Sequence, residues 1–509
     1  MERIKRPLVA MVALTAAVLL AVAGGCGSKG NTDFGGGDNS SGSDAAFAQD
    51  DASGVMSFGG NGAGTTGGFA GGGANCSPGS DLSCFVDLKC PGTHTTITGK
   101  VYDPAGKNPL YNIAVFVPKN PNTLPTITTG TNTCVACSTP IEDYVALTQS
   151  ANDGSFTLTD VPWGKNVPVV VQDGKWRRVI TVPNVPDCGT VKLPDSGSGQ
   201  ARLPRNRKEG DMPQMALLTG GLDDLGCFMT RIGIDASEYS APKGGGRLDI
   251  YQGLGTGLGG ASPGPGLSNG KAGDCTTTSC PLWSSKQSFE NYDIVLLSCE
   301  GDTFDSDARA DGGFSFGGQT VNVTTAGKQA MHDWLNEGGK VFATHFQYTW
   351  FEYGPPDFQN VASWLGPSVG SQMINGSIDT TFVKGQAFHN WLQGVGALNS
   401  NGLLAMTGVA SSVSAVNAQT TSRWIYDNAN SDTKYMSFQT PIGGAPDGDG
   451  GAFFCGKAVF TDLHAGGSPM GDVPGSCKTT ALSQQEKALE FLFFDLAACV
   501  TVDMVAPPK

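Results

Sequence analysis

The sequence predicts an α+β chain of several parts: a disordered Gly-rich tether, then a β-sandwich, then an α/β domain with a mostly parallel sheet. Three observations predict it. Residues 27–75 hold 16 glycines among Ser, Asn, Asp and Ala, too little apolar surface to offset the entropy of ordering. Between Thr95 and Val182, short strand-like runs are separated by turn residues at the spacing of a sandwich. From Tyr292 to Gln347 an apolar strand, an acidic loop, a helix and a second apolar strand follow one another, a βαβ unit that implies parallel pairing. At 509 residues the chain exceeds one ordinary core.

The first segment carries an address. Arg3, Lys5 and Arg6 precede an apolar run from Leu8 to Val22, short for a spanning helix and flanked as a secretory signal is. Ala23-Gly24-Gly25-Cys26 resembles the lipobox of bacterial lipoproteins, whose cysteine is diacylated and becomes the mature N-terminus. The resemblance implies a signal peptide over 1–25, lipidation of Cys26, and a membrane partner reached through the lipid anchor. Residues 26–75 are then the tether. Gly27 carries no acidic retention signal of the enteric kind, so the expected location is the cell envelope at the outer membrane. Ala21-Val22-Ala23 would also serve an ordinary signal peptidase, and cysteine parity favours that cut, since lipidation leaves an odd number of the 14 cysteines.

Composition narrows the partners. Thirty-two Lys plus Arg face 46 Asp plus Glu, a net charge of −14, which excludes nucleic acid as a natural partner. Scattered cysteines behind an export signal read as disulfides.

Residues 76–194 form the predicted sandwich. Ile97–Val101, Ile113–Val117, Phe156–Leu158, Val167–Val171 and Arg178–Val182 are its strands, with turns at Asp103–Gly106, Asn152–Ser155 and Pro162–Gly164. Gly99 to Val115 and Asp153 to Gly164 resemble two segments of the carboxypeptidase regulatory-like (transthyretin-like) domain. That resemblance implies a seven-strand sandwich without catalytic residues, which acts as a spacer or as a carbohydrate or protein contact surface. Cys134 and Cys137, in the inserted 120–144 stretch, read as a loop disulfide, because no second pair or nearby His completes a zinc site. Cys90 and Cys188 bracket the sandwich and can pair across its ends.

Residues 195–211, rich in Ser, Gly and basic side chains, read as a linker. The α/β domain follows over 212–500, with 501–509 as a tail. Met212–Thr219 is its first strand and Gly220-Gly221 leads into a helix bearing Leu222, Leu225, Phe228, Met229 and Ile232 on one face. No GxGxxG or Walker loop is present, so no nucleotide is expected. Leu248–Tyr251 is a strand, and a bridge from Cys275 to Cys280 closes the long loop after it. Phe358–Leu365 and Gln386–Leu392 read as helices. Gly402–Met406, Ser422–Tyr426, Lys434–Phe438 and Lys457–Thr461 read as strands, and Ser483 to Glu486 is a capping box for the last helix.

Ligand crevices of open α/β sheets lie beyond the carboxyl ends of the strands, which singles out Glu300, His345 and His464. The segments ending at His345 and His464 resemble those of the trehalose-utilisation family, within the class I glutamine amidotransferase-like fold, which implies a flavodoxin-like sheet. Members with glutaminase activity carry a nucleophilic Cys at the elbow that His345 occupies here, so that activity is not implied. Cys299 is weighed as a nucleophile and as a disulfide partner of Cys227; Cys455 and Cys477 are further disulfide candidates. His345 and His464 with Glu300 or Asp462 would make a two-histidine, one-carboxylate metal set, although no cofactor is required. Alternatively His345 acts as base and His464 or Glu300 as acid. Tyr348, Trp350 and Phe351 could stack on a sugar or fill the core. Asp302, Asp305, Asp307 and Asp311, and Asp447 with Asp449, look like calcium loops but lack regular ligand spacing. His332 is expected on an exposed helix face, and His94 and His389 lie in no constellation.

The function expected from these readings is non-catalytic binding of carbohydrate or an envelope protein. The alternatives are a hydrolase or sugar-modifying enzyme using Glu300, His345 and His464, and a purely structural envelope component.

Overall fold

Alternating burial along the strands builds the first layer pair. The computed structural model describes residues 81–504, apart from 93, 131–133, 135–140, 255–261, 264–266, 268–269, 311–320, 367–372, 447–451 and 467–471. The signal, Cys26, the tether, Cys76, Cys137, Asp311, Asp447 and Asp449 lie outside the described residues. Strands β1 (Thr96–Lys100), β2 (Ala114–Pro118), β3 (Tyr144–Gln149), β4 (Ser155–Thr159), β5 (Gly164–Asp173), β6 (Trp176–Val185) and β7 (Thr190–Lys192) form two sheets, ordered β4-β1-β7 and β3-β2-β5-β6. Ile97 and Leu158 from one sheet share a core with Val115, Val117, Val169 and Val171 from the other, the two-layer burial that a period of two dictates.

The second sheet is larger and mixed. Among its strands are β8 (Met215–Leu218), β9 (Leu248–Gln252), β10 (Ile294–Leu297), β11 (Lys340–Thr344), β12 (Ile374–Ile378), β13 (Leu404–Met406), β14 (Thr421–Asp427), β15 (Thr433–Thr440) and β16 (Gly456–Thr461). The order β9-β8-β10-β11-β16 is parallel throughout, and β15, β14, β12 and β13 continue it antiparallel. Every residue of β8, β10, β11 and β16 is buried, as strands covered on both faces must be. Helices α1 (Leu225–Arg231), α2 (Thr325–Asn336), α3 (Val383–Gly394) and α4 (Gln484–Ala497) provide cover. The capping box at α4 is present, Ser483 Oγ taking the Glu486 N–H while Glu486 takes the Ser483 N–H.

Two stretches differ from expectation. Phe358–Leu365 is not one helix: a single helical turn, Pro356–Gln359, gives way to a strand at Ala362–Trp364 that pairs with Val413–Val416. Sheet pairing there overrides a short, ambiguous apolar run. Residues 195–211 are packed rather than free, with Ala201 and Leu203 fully buried and Glu209 bound by both Arg202 and Arg205. The sandwich and the α/β layer therefore meet closely, and the described residues belong to one compact unit. Helix α4 is the common wall. Its Phe494 meets Trp176 and its Phe491 meets Tyr111 on the sandwich side, while Phe493 packs on Phe228 of α1.

Disulfides reinforce this joint. Cys90 pairs with Cys188 and Cys275 with Cys280. Cys134, expected to pair with Cys137, instead bridges to Cys455, and Cys227 pairs with Cys477 rather than Cys299. Chain folding over hundreds of residues, not loop spacing, chose these partners; the Cys134–Cys455 bridge ties the sandwich insertion to the α/β layer. Cys84 and Cys499 are also disulfide-bonded.

Candidate functional site

Strands β10, β11 and β16 are consecutive neighbours, with Leu297 beside Ala343 and Thr344 beside Thr461. The residues just past their carboxyl ends must converge, and they do. Cys299 Sγ lies 3.3 Å from His345 Nδ1, and His464 Nε2 lies 3.2 Å from the same nitrogen. His345 is the residue on which β11 turns into the His345–Tyr348 3-10 turn, and its φ is +39°. A bulky side chain in that region is strained and needs its surroundings to hold it.

The tautomer of His464 follows from its second contact. Its Nδ1 is 2.7 Å from the Gly408 carbonyl oxygen, which can only accept. Nδ1 therefore carries the proton and Nε2 turns a lone pair toward His345. Cys299 is buried and free, which sets it apart from the bridged cysteines; burial pushes its thiol well up. Asp223 completes the surroundings. Gly220 has no room for a Cβ, which would come within 2.2 Å of the Cys299 carbonyl oxygen, so the loop after β8 presses against this strand end. That approach buries Asp223, whose Oδ1 accepts the Ala465 N–H at 2.7 Å and whose Oδ2 is buried without a hydrogen-bond partner of normal geometry. Burial raises its pKa, against the opposing influence of His464.

The carboxylates expected beside the histidines take other partners. Both oxygens of Asp462 are held by Ser412, through its N–H at 2.8 Å and its hydroxyl at 2.6 Å. Glu300 is buried toward Gly253, with Gln347 Nε2 at 3.5 Å. Tyr348, Trp350 and Phe351 are fully buried, Trp350 against Trp283 and Phe351 against Phe438, so they are core rings rather than a stacking platform. The acidic loop is neutralised from within: buried Lys328 reaches both oxygens of Asp305 at 2.9 Å and Asp307 at 2.7 Å, while Asp302 caps the Thr303 N–H. His332 is half-buried between Asp333 and Asp357, His94 pairs with exposed Asp160, and Nδ1 of His389 is buried without a partner. Asp223 escaped the sequence reading, although its place one loop past a strand end is the same signal that marked His345.

A second concavity lies at the amino ends of β8, β9 and β10, where the sandwich insertion meets the α/β layer. It is a cleft of about 390 Å³ whose lining includes Thr129, Arg207, Lys243, Arg247, Asn291 and Tyr292. Arg247 Nη1 donates to Thr129 and Gln214 across the joint, and Arg207 is paired with Glu238.

No protein-family model matches the chain, and no curated protein matches it. Among solved structures, it is similar to a cytoplasmic protein from Salmonella typhimurium, at 10% identity over 50% of this chain and 89% of that one, with a TM-score of 0.24. It is also similar to the dioxygenase domain of a dioxygenase carbohydrate-binding protein fusion from the cellulolytic bacterium Streptomyces sp. SirexAA-E, at 18% identity over 24% of this chain and 81% of that one, with a TM-score of 0.11. At such TM-scores neither likeness carries an argument.

Proposed function

We propose that this chain is an exported lipoprotein of the bacterial cell envelope, anchored through Cys26, that binds carbohydrate without modifying it. The observation that carries the reading is the seam cleft. Its volume of about 390 Å³ falls within the range of small-molecule sites, and joints between domains are favoured places for them. Amide, guanidinium and ammonium groups line it together with the carboxylate of Asp249, which already takes the Tyr292 hydroxyl, a mixed set of donors and an acceptor suited to sugar hydroxyls, with Lys243 placed for the carboxylate of an acidic sugar. The five parallel strands follow the order second-first-third-fourth-fifth, which supports a flavodoxin-like, amidotransferase-like sheet. The seven strands in two sheets support the regulatory-like sandwich. His345 stands where amidotransferases carry their nucleophilic cysteine, so glutaminase chemistry is not proposed.

The test is calorimetric titration of the full chain with neutral and uronate oligosaccharides. Lys243→Ala and Asn291→Ala should each weaken uronate binding by roughly 10-fold, about 1.4 kcal/mol. Equal binding by wild type and both variants, or no binding at all, sinks the cleft. A second reading, chemistry on a sugar at the strand ends, is favoured by one observation, the strained φ of +39° at His345.

A further inference from the structure

The strand-end cluster poses a problem of proton bookkeeping. His464 Nε2 has no proton to give, because Nδ1 is committed to Gly408. His345 Nδ1 faces that lone pair and the Cys299 sulfur at once, at 3.2 and 3.3 Å. A single proton on His345 Nδ1 can be directed at only one of these two atoms. A cation can take all three atoms at once, with Cys299 as thiolate and both facing ring nitrogens unprotonated.

We infer that Cys299, His345 and His464 form a binding site for a zinc-class divalent cation. Their donor atoms, Sγ, Nδ1 and Nε2, all lie within 4.8 Å of one another. The spacing is right for such an ion. Bonds of roughly 2.0–2.1 Å to nitrogen and about 2.3 Å to sulfur, at tetrahedral angles, place donors about 3.3–3.6 Å apart, and the two close separations here are 3.2 and 3.3 Å. Small outward movements of the side chains admit the ion. A soft thiolate with two imidazoles selects zinc or its chemical relatives over magnesium and calcium, which take oxygen.

The surroundings match as well. His464 donates its other ring N–H to a backbone carbonyl, the outer contact that fixes ring and tautomer in metal-ligating histidines. On binding, the Cys299 S–H bond breaks and its proton leaves to solvent while the S–metal bond forms, and the single ring proton of His345 sits on Nε2 so that Nδ1 gives its lone pair to the ion. The thiolate and buried Asp223 together then offset a charge of +2. Cys299 and His345 are buried while His464 is half-buried, so the ion enters from the His464 side. With three protein ligands the fourth position is open to water or a ligand atom, the arrangement of reactive rather than purely structural zinc. A second grouping, Asp87, Cys90, Asp187 and Cys188, offers no such site, because its two sulfurs are bonded to each other.

The experiment uses the full chain, made without a polyhistidine tag, stripped with a chelator and titrated with Co²⁺ as a spectroscopic probe. The expected result is one Co²⁺ per chain, tetrahedral ligand-field bands, a near-ultraviolet thiolate-to-metal charge-transfer band, and displacement by Zn²⁺. Cys299→Ser should erase the charge-transfer band, and His464→Gln should weaken binding by more than roughly 10-fold. If Cys299→Ser does not fold, His464→Gln, at the partly exposed ligand, decides. Binding well below one equivalent, absence of the thiolate band in wild type, a band that survives Cys299→Ser, or affinity unchanged by His464→Gln overturns the assignment.

Discussion

Strands β11 and β16 begin in one buried polar cluster and end in another, and the two could hardly differ more. At the amino ends, Lys457 and Lys384 are locked to Asp495 and Asp503. Lys384 lies 2.8 Å from Asp495 and 3.1 Å from Asp503; Lys457 lies 2.5 Å from Asp495 and 2.7 Å from Asp503. Ser437 takes the remaining Asp503 oxygen at 2.7 Å. Two positive charges meet two negative ones. Lys340 alongside donates to the carbonyls of Ala497 and Ala498 at the end of α4, capping that helix. At the carboxyl ends, by contrast, His345 Nδ1 stands 3.3 Å from the Cys299 sulfur and 3.2 Å from His464 Nε2, and Asp223 has a buried oxygen without a hydrogen bond. A satisfied buried network is scaffold, whereas one left short of a partner marks a site.

The contrast can be broken by measurement, beginning where the effect should be largest. Lys457→Ala leaves Asp503 and Asp495 with too little positive charge, and should cost about 3–5 kcal/mol in chemical denaturation; a loss under about 1 kcal/mol would mean the cluster is not structural. Removing the Cys134–Cys455 bridge by a double Ser substitution should cost about 2–5 kcal/mol. Unchanged unfolding would show that the joint holds without it.

Acid sharpens the same comparison. Burial alone would raise Asp503, yet Lys457 and Lys384 outweigh it and hold the carboxyl well below its ordinary value of 3.8. The folded state thus binds fewer protons than the unfolded one in that range. Its contribution is complete above pH 3.8 and is lost as pH falls below it. Asp503→Asn should flatten the acid limb of the stability profile; a profile parallel to wild type contradicts the assignment. Smaller still, Ser483→Ala should cost about 1 kcal/mol by removing the cap of α4. His464→Gln, in metal-free protein, should cost about 1 kcal/mol or less, the loss of one hydrogen bond to Gly408; a loss of several kcal/mol would mark His464 as scaffold.

Much of this scaffold was legible in the residues. Continuous apolar runs such as Ile294–Leu297 can only be strands covered on both faces, and the capping box announces α4. His345 and His464 were found by one rule, that strands of a parallel sheet end at the crevice. Cys299 was weighed with them only as a nucleophile, and the metal set was completed with Glu300 or Asp462 instead. Cys299 and Glu300 are adjacent, neighbours in extended chain point to opposite sides, and only the tertiary arrangement decides which one meets His345. The disulfides of Cys134 and Cys227 fail for a related reason: partners 321 and 250 residues away leave no local trace. Residues 501–504, read as part of a tail, contribute the fully buried Asp503 because two lysines on other elements need its charge.

Helix α4 also governs the order in which the molecule can be finished. Asn108 on the sandwich side bonds Glu490 of α4 across 382 residues of sequence, and Tyr111 and Trp176 wait for Phe491 and Phe494 in the same way. Until that late helix arrives, an emerging chain shows a sticky aromatic flank with nothing to cover it, the exposure that invites aggregation. Contacts of such long range also slow folding. A chain whose α4 is not yet available is therefore a client for a holdase, and the sandwich expressed by itself should clump where the whole protein does not.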